Sequence, residues 1–474
     1  MRLKLTERGS VDLIIFILGY IGSPAGKGPY GLYCQFIIVK PWSQKMYGRY
    51  IFGSMLNTVG VNKKFHIYTM TNSQDIFAIA LGLEEPWHIK EIAFDRNSSR
   101  LDIHLGFTKG FKFKAGDGLF YSAHDTVKRS WQHLNFFQHH CYIHAKVPRI
   151  KQGDGKTRTV SVPWARPGSG FTLLFEAFAM LLIENEMPVN KAAGILGVYP
   201  NRLWTVFNYW IARAHNADEI ENLEQLGFDE TSTRKGHHYV TTMVDLQQRR
   251  VLYACQGKDS DCIRRSAGYL KEKQVDTGRI KQACIDMSPA FIAGCRDYFP
   301  EAAVTFDKFH VVKEVNRAMD ELRKMERHGN SLLKGHKYTL LKNKLTPKLK
   351  EERDLLLEYY PKLGEGYRLK ELFSDFWHIK DKQEAESYLA FWCDLVEESG
   401  IQPFKKAANT IKAHWSGIVN YIESRINNGI LEGLNSKIQL AKKRARGYRK
   451  TENFINMIYF ICGRLKFDYP RYST

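Results

Sequence analysis

Leu226-Gly227-Phe228-Asp229-Glu230-Thr231-Ser232-Thr233 is the stretch on which the fold turns. Residues 227–233 read as a strand, and two more strand-like runs follow at 238–245 and 250–256, with Leu246-Gln247-Gln248-Arg249 as the hairpin turn between them. Helical spacing over 261–273 leads into a strand at 280–285, a helix at 289–298 and a strand at 303–306, the alternation of an α/β layer. Between about Val311 and Trp415 no strand pattern appears. Lys, Glu and Leu at helical spacing, with Trp377, Trp392 and Trp415, describe an all-helical insertion. One strongly basic helix, residues 427–446, follows it.

Upstream, residues 189–196 and 201–212 form two short helices separated by Gly197-Val198-Tyr199-Pro200, after a longer apolar helix at 171–184. Small residues on the first helix (Ala192, Ala193), a Gly in the turn, and Arg202 and Trp204 near the start of the second make helix-turn-helix grammar. Asn201, Arg202 and Thr205 are the candidates for base readout. Before that lies β-rich sequence: residues 87–94 and 101–105 alternate like paired strands, and Lys151-Gln152-Gly153-Asp154-Gly155-Lys156 reads as a loop between strands at 143–150 and 157–162.

The chain has 474 residues, 70 Lys and Arg against 50 Asp and Glu, and an ordinary hydrophobic share of 44%. Whole-chain disorder is excluded, and several domains have room to form. An excess of +20 calls for an anionic partner, with nucleic acid foremost. Residues 1–69 carry nine Lys or Arg against two Asp or Glu, so the later chain is basic in its own right. The eight cysteines include no C-x-x-C pair, which argues against a disulfide framework and fits a reducing cytoplasm. The apolar run at 13–21 follows Arg2, Lys4 and Arg8 like a targeting segment but is too short to span a bilayer, and no membrane partner is expected.

Three acids stand where this architecture exposes them: Asp229 in the first strand of the α/β region, Asp286 just after the fourth, and Glu432 in the first turns of the basic helix. Converging from two strands and a helix, such carboxylates suit two hard divalent cations and an in-line phosphoryl displacement. Asp286 before Met287-Ser288-Pro289 also reads as a helix cap, and Glu432 as a charge favouring its own helix N-terminus. Glu423 is a rival third acid without the surrounding glycines and asparagines. Lys437, Lys442, Lys443, Arg444, Arg446, Arg449 and Lys450 form a run of seven positive charges with no acid between Gly433 and Lys450, enough to meet several phosphates. Arg234, Lys235, His237 and His238 are candidates for the DNA strand near Asp229.

Gly227-Phe228-Asp229-Glu230 with Arg234-Lys235-Gly236-His237, then Asp286-Met287-Ser288, Phe299-Pro300, Asp307-Lys308-Phe309-His310, and Asn428-Gly429-x-x-Glu432-Gly433-x-Asn435 resemble, in this order, the bacterial insertion-sequence transposases of the ISL-three family. Trp131-Gln132-His133-Leu134 and the run from Val162-Pro163-Trp164 to Thr172 resemble that family's N-terminal half, so the likeness extends from about Met70 to the C-terminus. The resemblance implies a DDE-type transposase with a ribonuclease H-like α/β catalytic domain. In it Asp229, Asp286 and Glu432 hold two Mg²⁺ or Mn²⁺ ions, Asp307 and His310 are accessory to the active site, and Asn435 joins the basic residues at DNA. The 146 positions between Asp286 and Glu432 fit a core interrupted by the helical insertion.

The expected organisation is an α+β multidomain chain. It comprises an extension outside the resemblance (1–69), a β region like a zinc ribbon (70–165), the helix-turn-helix (166–215), the first catalytic part (216–316), the insertion (317–415) and the second catalytic part with the basic helix (416–474). The chain departs from the family at the ribbon: Lys114-Ala115-Gly116-Asp117-Gly118 and Gln152-Gly153-Asp154-Gly155 stand where cysteine pairs belong, and Asp117, His124, Cys141 and His144 do not replace them. No structural zinc is therefore expected. The expected partners are double-stranded DNA, as element ends and target, and further copies of the chain on that DNA, in a cytoplasmic, nucleoid-associated protein. A catalytically inactive DNA-binding remnant or regulator is the alternative.

Overall fold

Strand pairing, more than any helix, decides where the acids go. The computed structural model describes residues 13–19, 33–39, 73–234, 236–328, 331–342, 344–426 and 429–470. They fall into two compact units that part between Ala177 and Phe178.

In the first unit β1 (Leu13–Gly19) pairs antiparallel with β2 (Tyr33–Val39), which places most of the apolar N-terminal run in a hairpin; the rest of the expected 1–69 extension lies outside the described residues. After α1 (Ser73–Ala80) come β3 (Trp87–Asp95), β4 (Arg100–Phe107), β5 (Lys112–Lys114), β6 (Phe120–Ser122), β7 (Asp125–Phe136), β8 (His139–Lys151) and β9 (Thr157–Thr159). The main sheet runs β3-β4-β8-β7, with β9 also on β8, and β4 and β8 are parallel. Alternation puts Leu101, Ile103 and Leu105 of β4 and Cys141, Ile143 and Ala145 of β8 on one buried face. Trp164 meets Trp87 edge-on at 4.8 Å and Trp131 at 5.6 Å, so an aromatic knot sits at the centre of this core. Cys141 is buried inside it, while His144 on the other face bonds Asp102 at 2.5 Å and Ser130 at 2.7 Å.

Helix α2 (Leu173–Glu184) carries the chain into the second unit, which opens with α3 (Val189–Ile195) and α4 (Pro200–Ala217). Ala192 and Ala193 are fully buried, and Gly197 takes φ +65° at the turn, a left-handed position that glycine adopts without cost. Pro200 starts α4 at a position where its missing N–H is harmless. Helix α4 runs five residues beyond the sequence expectation because Trp210, Ile211 and Ala214 continue its buried face.

The second sheet is ordered β12-β11-β10-β13-β14. Antiparallel β10 (Gln225–Arg234), β11 (His238–Asp245) and β12 (Arg250–Gln256) form one half, and after α5 (Ser260–Glu272), β13 (Gln282–Ile285) joins β10 in parallel. Helix α6 (Pro289–Tyr298) leads to β14 (Ala303–Phe306), parallel to β13. From α7 (Lys308–Glu326) the chain is helical through α8 (Lys337–Leu341), α9 (Pro347–Tyr359), α10 (Pro361–Asp375), α11 (Lys382–Ser399), α12 (Gln402–Ala413) and α13 (Trp415–Ser424). These helices bury Phe373, Phe376, Trp392 and Phe404 and share one core with the sheet. The chain ends with α14 (Gly429–Arg444) and α15 (Thr451–Cys462).

Helix α13 closes the open edge of the sheet at β14. Asn420 Nδ2 donates to the Val304 carbonyl at 2.9 Å, which satisfies an acceptor that an edge strand leaves unpaired. Gly417 lets the helix come so close that any Cβ there would collide with the Phe306 ring. Gly417→Val is therefore expected to cost about 1–3 kcal/mol by overpacking. Urea unfolding checks this; a variant as stable as the parent would show that Phe306 moves aside freely.

Candidate functional site

Parallel pairing sets Gly227 beside Cys284 and Ile285 beside Phe306. Carrying the first pair two residues further on both strands sets Asp229 level with Asp286, and carrying the second one residue further sets Asp286 level with Asp307, so the three acids form one row across neighbouring parallel strands. Such strands lie about 4.8 Å apart, and side chains level with one another face the same way. Three aspartates thus stand together, Asp286 and Asp307 just past the C-terminal ends of β13 and β14 and Asp229 midway along the longer β10, on the side where α/β sheets present their ligand sites.

Each carboxylate is held by backbone or side-chain donors. Asp286 Oδ1 accepts from the Ser288 amide at 2.9 Å. Asp307, only 5% exposed, caps α7 through the Phe309 amide at 2.7 Å and accepts from His310 Nδ1 at 2.6 Å. Asp229 Oδ1 accepts from the Glu230 amide at 2.8 Å, and Asn435 Nδ2 donates to Oδ2. Burial pushes the Asp229 carboxyl up to about 6, with the neighbouring Asp307 and Asp286 adding to the shift and His310 opposing it. The hydrogen bond to Asp307 raises His310 above the ordinary histidine value against its partial burial. His310 is thus an acid-tethered imidazole whose charge is felt by the whole row.

Asn435 comes from α14, which lies along β10 in matched steps. Leu431 packs where a Cβ on Gly227 would be 2.9 Å away, Asn435 meets Asp229, Gln439 Nε2 donates to Thr231 Oγ1, and Lys442 Nζ donates to the Ser232 carbonyl at 2.6 Å. Four helical residues advance about 6.0 Å and two strand residues about 6.6 Å, so the two ladders stay in phase over the two steps from Leu431 to Gln439, and the long Lys442 side chain makes the last contact one strand residue further on.

Of the residues expected at the site, Asp229, Asp286, Asp307 and His310 are brought together. Glu432 is exposed in the first turn of α14, next to the Leu431 contact. It is not among the main charges acting on Asp229, and among the described residues no group of three or more His, Cys, Asp or Glu forms a ready metal cage. Glu423 pairs with Lys382 at 2.9 Å, away from the row. Asn435 and Lys442, expected at DNA, are turned inward to β10, and Arg444 pairs with Glu186 at 2.5 Å. Lys437, Lys443 and Arg446 are exposed, as are Asn201, Arg202 and Thr205 on α4. Arg234 and His237 are exposed at the β10–β11 turn; Lys235 lies outside the described residues. Sequence reasoning missed Gln439 and Glu230. Gln439 was signalled by its four-residue step from Asn435. Half-buried Glu230, raised by burial, senses Asp286 and His310, and only the strand register reveals that proximity.

Comparison with known proteins places the chain among transposases. Residues 226–458 match the ISL3 family of DDE proteins described as transposase, and residues 160–211 match the helix-turn-helix domain of transposase family ISL3. The transposase for insertion sequence element IS1001 of Bordetella parapertussis is 26% identical over 346 residues, 70% of this chain and 84% of the relative. The transposase for IS1557 of Mycobacterium tuberculosis is 24% identical over 359 residues, 69% of this chain and 80% of the relative. Among solved structures, a simian T-cell lymphotropic virus intasome in complex with PP2A regulatory subunit B56 gamma aligns at 16% identity over 36% of this chain and 70% of that one, with a TM-score of 0.14, too low to bear on the fold.

The Asp229 shift has a consequence for stability. An unfolded aspartate loses its proton near 3.9 and the folded Asp229 near about 6, so the folded chain binds the extra proton between those values. Its stability therefore falls as pH rises through that window and is lowest above it. In cation-free buffer Asp229→Asn is expected to gain about 1–3 kcal/mol over the parent at pH 7 relative to pH 4. Urea unfolding at the two pH values measures the difference; an equal effect at both would mean that Asp229 titrates normally.

Proposed function

We propose that this chain, a member of the ISL3 family of transposases with that family's helix-turn-helix domain, binds the terminal inverted repeats of an insertion sequence and catalyses metal-dependent DNA cleavage and strand transfer. The observation that carries the reading is the row formed by Asp229, midway along β10, with Asp286 and Asp307, just past the ends of β13 and β14. A sheet of three antiparallel strands followed by two parallel ones, interrupted by helices α7 to α13 before α14, supports a ribonuclease H-like core with a helical insertion.

The donor chemistry fits hard divalent cations: oxygen ligands on neighbouring strands, with Asp229 held above its ordinary pKa by burial and by the adjoining acids, a penalty that a cation relieves. Asp229 and Asp286, with Glu432 from α14, would hold Mg²⁺ or Mn²⁺. When bound, such ions activate the attacking oxygen and stabilise the leaving one.

The chain's own groups do the rest. Asn435 fixes the Asp229 carboxylate against rotation, the Ser288 amide does the same for Asp286, and Asp307 orients His310 and favours its protonated form beside the row. Water, then a DNA 3′-hydroxyl, attacks phosphorus and gives up its proton to solvent; the P–O3′ bond breaks, and the departing oxygen takes a proton from His310, which regains one from solvent. Asn201, Arg202 and Thr205 on α4 face bases, Arg234 and His237 meet the backbone near the scissile strand, and Lys437, Lys443 and Arg446 hold phosphates. Joining two element ends needs at least two copies on DNA. Among the described residues no helix is long and apolar enough to cross a membrane.

The test is cleavage of a supercoiled plasmid carrying the DNA that flanks the gene, in Mg²⁺ or Mn²⁺, by the full chain and by Asp286→Asn. Cleavage at the repeat ends is expected from the parent and lost in the variant. Specific binding with no cleavage by either protein would overturn catalysis and leave the inactive DNA-binding remnant.

A further inference from the structure

We infer that α14 is a ruler joining the base-reading end of α4 to the aspartate row along one continuous duplex, so that each copy of the chain cuts within about one helical turn of the base pairs it reads. The inference rests on the DNA-cleaving reading above and adds to it a spacing and a path.

The path lies within a single compact unit. Its first end is fixed by the α14–β10 ladder already described. At the other end of α14, Arg444 pairs with Glu186 ahead of α3, and the Tyr448 ring meets Trp204 of α4 edge-on at 6.1 Å. Trp204 Nε1 donates to Asn190 of α3 at 3.0 Å, and Asn208 of α4 exchanges amide hydrogen bonds with Asn453 and Asn456 of α15, each at 3.0 Å. Recognition helix and active site are thus tied to the two ends of one helix through short, specific contacts.

The outward stripe of that helix has the polarity the path requires. Glu432, Ser436, Leu440 and Lys443 are exposed at spacings of four, four and three, so the candidate ligand and the basic end share a face. Lys437, Lys443, Arg446, Arg449 and Lys450 are all exposed, and none is in an ion pair among the described residues. Uncompensated cations spaced along a rigid rod fit the backbone of double-stranded DNA. From Glu432 to Lys443 the helix rises about 16 Å, or about five base pairs at 3.4 Å each. The tight turn at Gly447, φ +91°, brings the chain back to Trp204, so α4 is reached within the roughly 34 Å of one duplex turn.

The experiment places an iron–EDTA cleaving group at each end of the ruler. Tyr199→Cys, at a position 81% exposed beside α4, and Ser436→Cys, exposed beside Glu432, are made in the full chain with Cys34→Ser, the seven other cysteines being buried. The probe is a duplex carrying the DNA that flanks the gene. The two groups are expected to cut the same duplex at centres about 5–10 base pairs apart. Centres more than about 20 base pairs apart, cutting from position 436 only on a second duplex, or no cutting from it would overturn the ruler. Lys443→Ala with Arg446→Ala is expected to lower the slope of log affinity against log salt by about 2; an unchanged slope would also overturn it. The plasmid assay reports separately: cleavage without the spacing removes only the ruler, and the spacing without cleavage removes only catalysis.

Discussion

Helix α14 can lie against β10 only because four helical residues and two strand residues cover nearly the same distance. That coincidence brings Leu431, Asn435 and Gln439 to Gly227, Asp229 and Thr231, and Lys442, three residues on, reaches the Ser232 carbonyl. Gly227 supplies the close approach, and without it Leu431 would stand off and the ladder would lose its first step. The position of Glu432 beside the sheet, the orientation of the Asp229 carboxylate and the direction of the basic stripe all follow from this one docking.

The second constraint is electrostatic. Parallel register sets three carboxylates level on adjacent strands, and like charges at such spacing are tolerable only with compensation. The chain supplies it from within: backbone amides of Glu230, Ser288 and Phe309, the Asn435 amide and the His310 imidazole. Asp229 is still held above the ordinary carboxylate range, chiefly by burial and further by Asp307 and Asp286.

The helices from α7 to α13 are part of the same body as the sheet. Asn420 satisfies the Val304 carbonyl at the exposed edge, Gly417 admits the Phe306 ring, and Thr305 and Ser424 meet at 3.3 Å. The residues that cover the edge strand therefore also steady β14, and with it Asp307. The helix-turn-helix is bound in comparably through Trp204, Asn208 and the α15 asparagines.

Periodicity made the order of elements legible: the strands from Gln225 to Phe306, the helical stretch after them and the basic helix were all readable because side-chain spacing reports local geometry. Asp229 was legible as an acid within a strand and Asp286 as one just after a strand, Asp307 only through the family resemblance, and the helix-turn-helix from small residues and a turn glycine. Which acids stand level was not, because register depends on hydrogen bonds between strands far apart in sequence, and a one-residue slip would send a carboxylate to the other face. The inward turn of Asn435 and Lys442 was equally hidden: a polar or basic residue on a helix reads as solvent-facing until the strand that accepts its hydrogen bond is in place. The sequence by itself determined the elements, their order and the supply of acids and cations, since these depend on contacts within a few residues. The tertiary structure alone decided which of those groups face one another, since that depends on packing between segments some 200 residues apart.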